Sequence, residues 1–493
     1  MTDTGMKIII ASIIPVILIA PSVSFPADIS ANRTGGDEWQ IKIDDCGYFA
    51  DIIGVEDGYI AIEIGSYAAG SGLGAKMVKI DKDGNLVWKN KISGERDCLT
   101  SVVETEDGYV VGGYGYEENG RHTDFLLIKT DKNGNLVWEK TYGEKNVDEI
   151  VGRTIKTKDG FLMVGFRSFS NHSVWVIELD REGNEIWNKT FRIKNMEWAK
   201  GEDAVETEDG YMVAGICSYP TGPGTGVWLI KLDKDGNEIW NKTYYRGAFE
   251  INARIIEIKE GYLIGGYGDP GSYLLKVDKE GNKIWYYNYF GRFPFILDIA
   301  ETPDAYVATG STCTHAVGMD DIWLVKISKD GEKIIWSKNF GRRYQDSGEA
   351  IIVENGSYII AGHEDFKGVI IKCSDFPAAE LNITRPKENY LYFFDRELSP
   401  WDKTVVIGGI TICVSIDNPG NFEINRTEFY VQKIRALGGK YPVEPRKVLY
   451  EPPYEWKMHY PAFGDILLTC GAYYGNAEAV TARERYIYMI NFI

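Results

Sequence analysis

The chain has 493 residues, 44% apolar and 26% charged, with a formal net charge of −18. That is globular composition with material for more than one core, and so acidic a balance excludes a nucleic-acid partner, because phosphates are held by clustered Lys and Arg. Abundant Gly (54) and Tyr (31) beside many short Val/Ile/Tyr runs predict an all-β protein. The N-terminus reads MTDTGMKIIIASIIPVILIAPSVSF: Lys7, an apolar run from Ile8 to Ala20, then the small residues Ser22 and Ser24. This predicts a secretory signal peptide over residues 1–24, with Met6 as an alternative start. The run is short for a membrane span, so an uncleaved signal is the only membrane attachment expected, and the mature protein is expected to be secreted or at the cell surface. The seven cysteines (Cys46, Cys98, Cys217, Cys313, Cys373, Cys413, Cys470) form no zinc spacing. Export permits disulfides, and the odd count leaves at least one thiol unpaired within the chain.

Next in chain order come two interleaved signals. The octapeptide DKDGNLVW at Asp81 returns as DKNGNLVW at Asp131, DREGNEIW at Asp180, DKDGNEIW at Asp233, DKEGNKIW at Asp278 and SKDGEKIIW at Ser328. Turn-plus-apolar runs of the type DGYVVGGY place an aromatic at Tyr59, Tyr109, Phe161, Tyr211, Tyr262, Tyr306 and Tyr358. A period near 50 residues holding only strand patterns predicts propeller blades. One period parses as strand a over Ser101–Glu106, b over Tyr109–Gly115, c over Phe125–Asp131 and d over Leu136–Tyr142. Strands b and c are continuously apolar, as when neighbouring blades bury both faces of a sheet. Trp88, Trp138, Trp187, Trp240, Trp285 and Trp336 each open a strand d, but the seventh strand c, Val369–Cys373, has no strand d after it. EWQIKI, with Trp39, supplies one from the other end. The prediction is a seven-bladed propeller over residues 38–374, closed by its N-terminal strand, with the seven tryptophans as wedges between blades. The octapeptide itself is read as hairpin chemistry, with Asp capping the turn and Gly taking positive φ; a calcium loop needs more oxygens than four residues supply.

KLDKDGNEIW resembles the Trp-docking repeat of quinoprotein propellers and, more loosely, the Asp-box of sialidase-like propellers. Asp124–Lys129, Val227–Lys231, Asp321–Lys326 and the TYG at Thr141 are similar to a repeat-rich propeller family of archaeal and bacterial secreted proteins. That resemblance implies architecture and little about activity.

After Ser374 the pattern stops, and about 110 residues of short strands fit a β-sandwich. EFYV at Glu428, PPYEW at Pro452 and FGDILLTCGAYYGN at Phe463 resemble the immunoglobulin-like domain at the C-terminus of archaeal surface proteins, here spanning residues 379–493. Cys413 and Cys470 invite a bridge between sheets, but Cys413 falls on the opposite strand face from Ile410, Ile412 and Val414.

In a propeller the b–c and d–a loops share one face, and here that is the variable one, so a site is expected there. Four of the five histidines fall in b–c loops: His122, His172, His315 and His363. With Asp320 and Asp321 they form a candidate metal set, against which stands the distance between blades. Arg246, Arg292, Arg342 and Arg343, with Tyr344, follow strands d and form a candidate patch for carboxylated or sulfated glycans; solvated ion pairs are the plainer reading. Asn-x-Ser/Thr at Asn171 and Asn382 are the preferred glycosylation candidates. No GxSxG, HExxH or P-loop occurs. The expectation is therefore a non-enzymatic exported protein without a cofactor, binding cell-surface glycans or envelope proteins. The alternatives are a quinone-dependent dehydrogenase, a glycan-cleaving hydrolase, and a structural envelope component.

Overall fold

Tight turns alternating with apolar runs build antiparallel sheets, seven of which stand as propeller blades in the computed structural model. It describes residues 30–35 and 38–375, except 66–73, 117–120, 169–171, 194–197, 219–223, 246–248, 270, 290–293, 313–319 and 342–344, and beyond them only strand segments between 380 and 491. Blade 2 shows the unit: strand a Cys98–Thr105, b Gly108–Tyr116, c Thr123–Asp131, d Leu136–Tyr142. Strands a of successive blades, from Phe49–Val55 of blade 1 to Ser347–Glu354 of blade 7, neighbour one another round a closed circuit about the axis. Strand a begins three residues earlier than its sequence pattern, because a bulge between Leu99 and Ser101 breaks the two-residue period. The same irregularity recurs in the inner strands of blades 1, 3, 4, 6 and 7.

Strands b and c are buried along most of their length, and between successive blades they form seven apolar clusters. In six of the seven blades the tryptophan of strand d lies against the hairpin of the following blade. A Cβ on Gly84 would meet Trp39 at 2.8 Å, and one on Gly281 would run into the Trp240 ring. Gly134, Gly183, Gly236 and Gly331 face Trp88, Trp138, Trp187 and Trp285 in the same way. Blade 7 has no c–d hairpin to offer, so Trp336 bonds Asp375 through its indole N–H at 2.8 Å and meets Tyr358 edge-on.

The hairpin aspartate spends both oxygens on its own turn. Asp131 Oδ1 accepts from the backbone N–H of Asn133 and Asn135 at 2.8 and 2.9 Å, and Oδ2 accepts from the Asn135 amide at 2.9 Å. Asp81, Asp180 and Asp233 repeat this set. On the same face, strand c lysines pair with a–b turn acids: Lys79–Asp57 at 2.7 Å, Lys129–Asp107 at 2.6 Å and Lys326–Asp304 at 3.0 Å.

The ring closes as strand Glu38–Ile43 pairs antiparallel with Lys367–Ser374 of blade 7. Lys42–Glu364 at 2.9 Å and Lys367–Asp44 at 2.5 Å fasten the join. Outside it lies a strand that the sequence pattern did not predict, Ser30–Gly35, paired to Glu38–Ile43. The C-terminal strands form two sheets, one of three strands and one of seven. Cys413 lies on Ile410–Asp417 of the smaller sheet and Cys470 on Ala462–Tyr474 of the larger.

Candidate functional site

The position just after the inner-strand bulge, and in blade 5 the first residue of the unbulged inner strand Arg254–Ile258, faces the axis and carries polar or charged groups in six of the seven blades. In order they are Asp51, Ser101, Arg153, Asp203, Arg254, Asp298 and Ala350. Four of them accept a backbone N–H from the next blade: Asp51 from Val102 at 2.9 Å, Ser101 from Thr154 at 2.8 Å, Asp203 from Ile255 at 3.1 Å and Asp298 from Ile351 at 2.9 Å. The two arginines take the positions between. Arg153 reaches Asp51 at 3.2 Å and Asp203 at 3.7 Å, and Arg254 donates to the Leu297 carbonyl at 3.0 Å. Three carboxylates thus share two guanidinium groups. Burial pushes the Asp298 carboxyl up to about 6, and the fields of Arg153 and Arg254 only partly offset it.

Beside this ring, towards the loop face, a second group of side chains from several blades gathers. Tyr48 precedes strand a of blade 1, and its ring stacks on His363 of blade 7 at 3.7 Å and 16°. His363 Nδ1 stands 4.0 Å from Glu349 Oε1. Burial holds the Glu349 carboxyl above the usual range, opposed by the Ser347 hydroxyl and Arg254. Burial likewise raises the Tyr267 phenol, and Glu202 of blade 4 and Glu349 of blade 7 add to the shift, so both carboxylates act on this one ring. Tyr267 meets Phe295 edge-on at 4.7 Å, and Glu202 pairs with Lys200. In the neighbouring sector His122 Nδ1 lies 3.2 Å from Asp148 Oδ1, and His172 stacks on Phe166 at 4.9 Å. Burial lowers the His172 pKa and Asp148 opposes the shift. Beside them burial pushes Glu149 up to about 7 despite Arg167 at 3.0 Å.

Two of the predicted loop histidines are on strands, His172 opening strand c of blade 3 (His172–Asp180) and His363 lying within strand b of blade 7 (Ser357–Glu364); His122 and His172 share the field of Asp148, while His363 stacks on Tyr48 between blades 7 and 1. His315 lies outside the described residues. Asp320 bridges to Gln345, and Asp321 is buried at the start of strand c of blade 6. Among the described residues no three His, Cys, Asp or Glu side chains gather as a metal site. Arg246, Arg292, Arg342, Arg343, Tyr344 and Asn171 also lie outside the described residues, and Asn382 sits on strand Glu380–Arg385. The sequence reading missed the axial ring and the Tyr48, Tyr267, Glu202 and Glu349 group. Its signal was present: a charge set inside an otherwise inward-facing strand a, as in EIVGRTIK, AKGEDAVE and FILDIAE.

No protein-family model and no curated protein sequence matches the chain. Among solved structures it is similar to the Synechocystis apocarotenoid oxygenase (TM-score 0.39, 12% identity, 60% of this chain and 72% of that one). It is also similar to the Dos1 propeller (TM-score 0.40, 9% identity, 69% and 88%). A third is the periplasmic gluconolactonase PpgL of Pseudomonas aeruginosa (TM-score 0.42, 11% identity, 63% and 94%). At such identities and TM-scores the likeness carries no argument about this chain, and the propeller fold rests on the strand pairing itself. One expectation is corrected: the similar structures include an oxygenase and a lactonase, so the non-enzymatic assignment made from missing motifs does not stand. Any chemistry here is a matter for the site and not for the fold.

Proposed function

We propose that this chain is an exported glycan-binding protein of the cell surface, reading its ligand at the loop end of the inner strands. In this reading the C-terminal sheets form an immunoglobulin-like spacer or attachment domain. One observation carries it: the half-buried Glu202, Tyr267 and Glu349 of blades 4, 5 and 7 share one field at the loop end of the inner strands, backed by the buried Tyr48–His363 stack of blades 1 and 7. Aromatic rings offer apolar faces to sugar C–H groups, and partly desolvated carboxylates accept sugar hydroxyls strongly. The hairpins of the opposite face offer no such set, because their aspartates are consumed in their own turns. The test is a glycan array probed with the wild type and with Tyr48→Ala and Tyr267→Ala. Retention of particular glycans by the wild type, lost in both variants while the melting temperature holds, supports the reading. An array with no retained glycan, or retention indifferent to both tyrosines, overturns it.

A further inference from the structure

The outer strands of blades 3 and 4 each present an Asn-Lys-Thr triplet on a free edge. Strands Glu185–Phe191 and Glu238–Tyr244 end their sheets, and among the described strands neither has a partner on its outer side. Asn188 and Asn241 are exposed there, two residues before Thr190 and Thr243. Residues two apart on a strand share a face, so each asparagine and its threonine are presented together. The repeat alone does not require the asparagine, since the same position after the strand d tryptophan is Lys89 in blade 1 and Glu139 in blade 2. What accompanies it is an indole on strand c. Trp175 and Trp228 are buried, and a buried indole N–H needs an acceptor. Trp228 donates to Asn241 Oδ1 at 3.1 Å, and Trp175 donates to Asn188 Oδ1 at 3.4 Å.

That bond fixes which way each amide points, because the reverse orientation would set an amide donor against the indole donor. Nδ2 is turned outward, to the exposed Glu238 in blade 4 and the exposed Glu185 in blade 3, each 2.5 Å away. A substituent on Nδ2 therefore leaves Oδ1 accepting from the indole and Nδ2 with one hydrogen. Beside Asn241 runs an open groove of about 500 Å³, bordered by Thr243, Tyr244, Gly281 and Lys283, which gives such a substituent room. We propose that Asn188 and Asn241 are N-glycosylated, an inference that rests on export, the first half of the reading above, and not on glycan binding. The donor class is an oligosaccharide on a polyprenyl diphosphate. Nδ2 bonds to C1 of the first sugar, the C1–O bond to the diphosphate breaks, and the amide gives up one proton. A sugar beside the open edge of each blade also hinders its pairing with another chain.

The experiment fractionates the cells that make the full chain, then reads the peptides spanning Asn188 and Asn241 by mass spectrometry. The expected result is a chain outside the cytoplasm with at least one sugar's mass added to each peptide. Thr190→Ala and Thr243→Ala keep the asparagines and their indole bonds and should each remove the added mass from their own peptide. Thr190→Ser and Thr243→Ser should restore it, a rescue that a purely structural role for the threonines would not produce. An exported chain with both peptides at their unmodified mass overturns glycosylation and leaves export in place, and the two asparagines are then only acceptors for Trp175 and Trp228. Added mass that survives Thr→Ala overturns it as well. A chain confined to the cytoplasm overturns the proposal and the export reading together.

Discussion

On the turn face each hairpin closes on itself. Asp233 spends its carboxylate on the N–H groups of Asp235 and Asn237, and Gly236 lies flat under Trp187. At the axis and the loop end of the inner strands, by contrast, charges are buried beyond what their partners offset. Asp298, Glu349 and Glu149 all hold their protons more tightly than ordinary carboxylates. The turn face repeats because each blade solves the same local problem with the same residues. The axial region does not repeat, because acids and arginines of different blades complete one another across a shared space. Repetition therefore marks the scaffold here, and departure from it marks the place where the molecule can do something particular.

The comparison breaks most visibly if a turn-face wedge is removed. Trp336 is buried between blades 6 and 7, and Trp336→Ala should cost ~3–5 kcal/mol, read as a lower denaturant midpoint, with glycan binding per folded molecule unchanged. The next effect is a gain and belongs to the axis. Asp298 rises from 3.8 to about 6 on folding, so between those values the folded chain holds a proton that the unfolded chain has released. Stability from this group is therefore highest at acid pH and falls as pH rises through the window. Asp298→Asn keeps an acceptor for the Ile351 N–H and removes the titration. Relative to the wild type it should gain up to about 3 kcal/mol above the window and little below it. Parallel melts across pH check this, and equal pH profiles for the two proteins would sink it.

Smaller losses sharpen the turn-face half. Gly281 has φ +74, and the Trp240 ring lies where an added methyl would stand, so Gly281→Ala meets both backbone strain and a clash. A loss of roughly 1–3 kcal/mol is expected by thermal denaturation. Least of all, Asp233→Ala should lower the melting temperature slightly, since an exposed turn loses its cap. Chelator should leave the wild-type melting temperature unchanged. A chelator-sensitive melt would reinstate the octapeptides as metal loops.

Much of the architecture was legible in order along the chain. The octapeptides, the seven aromatics and the displaced Trp39 specify hairpins, blade number and the closing strand, because turn chemistry and strand burial act over a few residues. The added strand Ser30–Gly35 was not legible, since SANRTG carries no strand pattern and is paired only because Glu38–Ile43 presents an open edge. The histidine set shows the same limit. Loop position put His122, His172 and His363 on one face, yet only the curvature of the ring decided that His363 meets Tyr48 and Glu349 while His122 meets Asp148.

The sequence by itself determined the repeating unit, because a hairpin's hydrogen bonds and a strand's apolar faces are satisfied by near neighbours in the chain. Only the tertiary structure decided the axial region. Asp51 and Arg153 stand about a hundred positions apart, and His363 and Tyr48 meet only once the ends of the chain close the ring. Charge balance and proton affinity there depend on which blades face one another across the axis and on how much water the ring excludes.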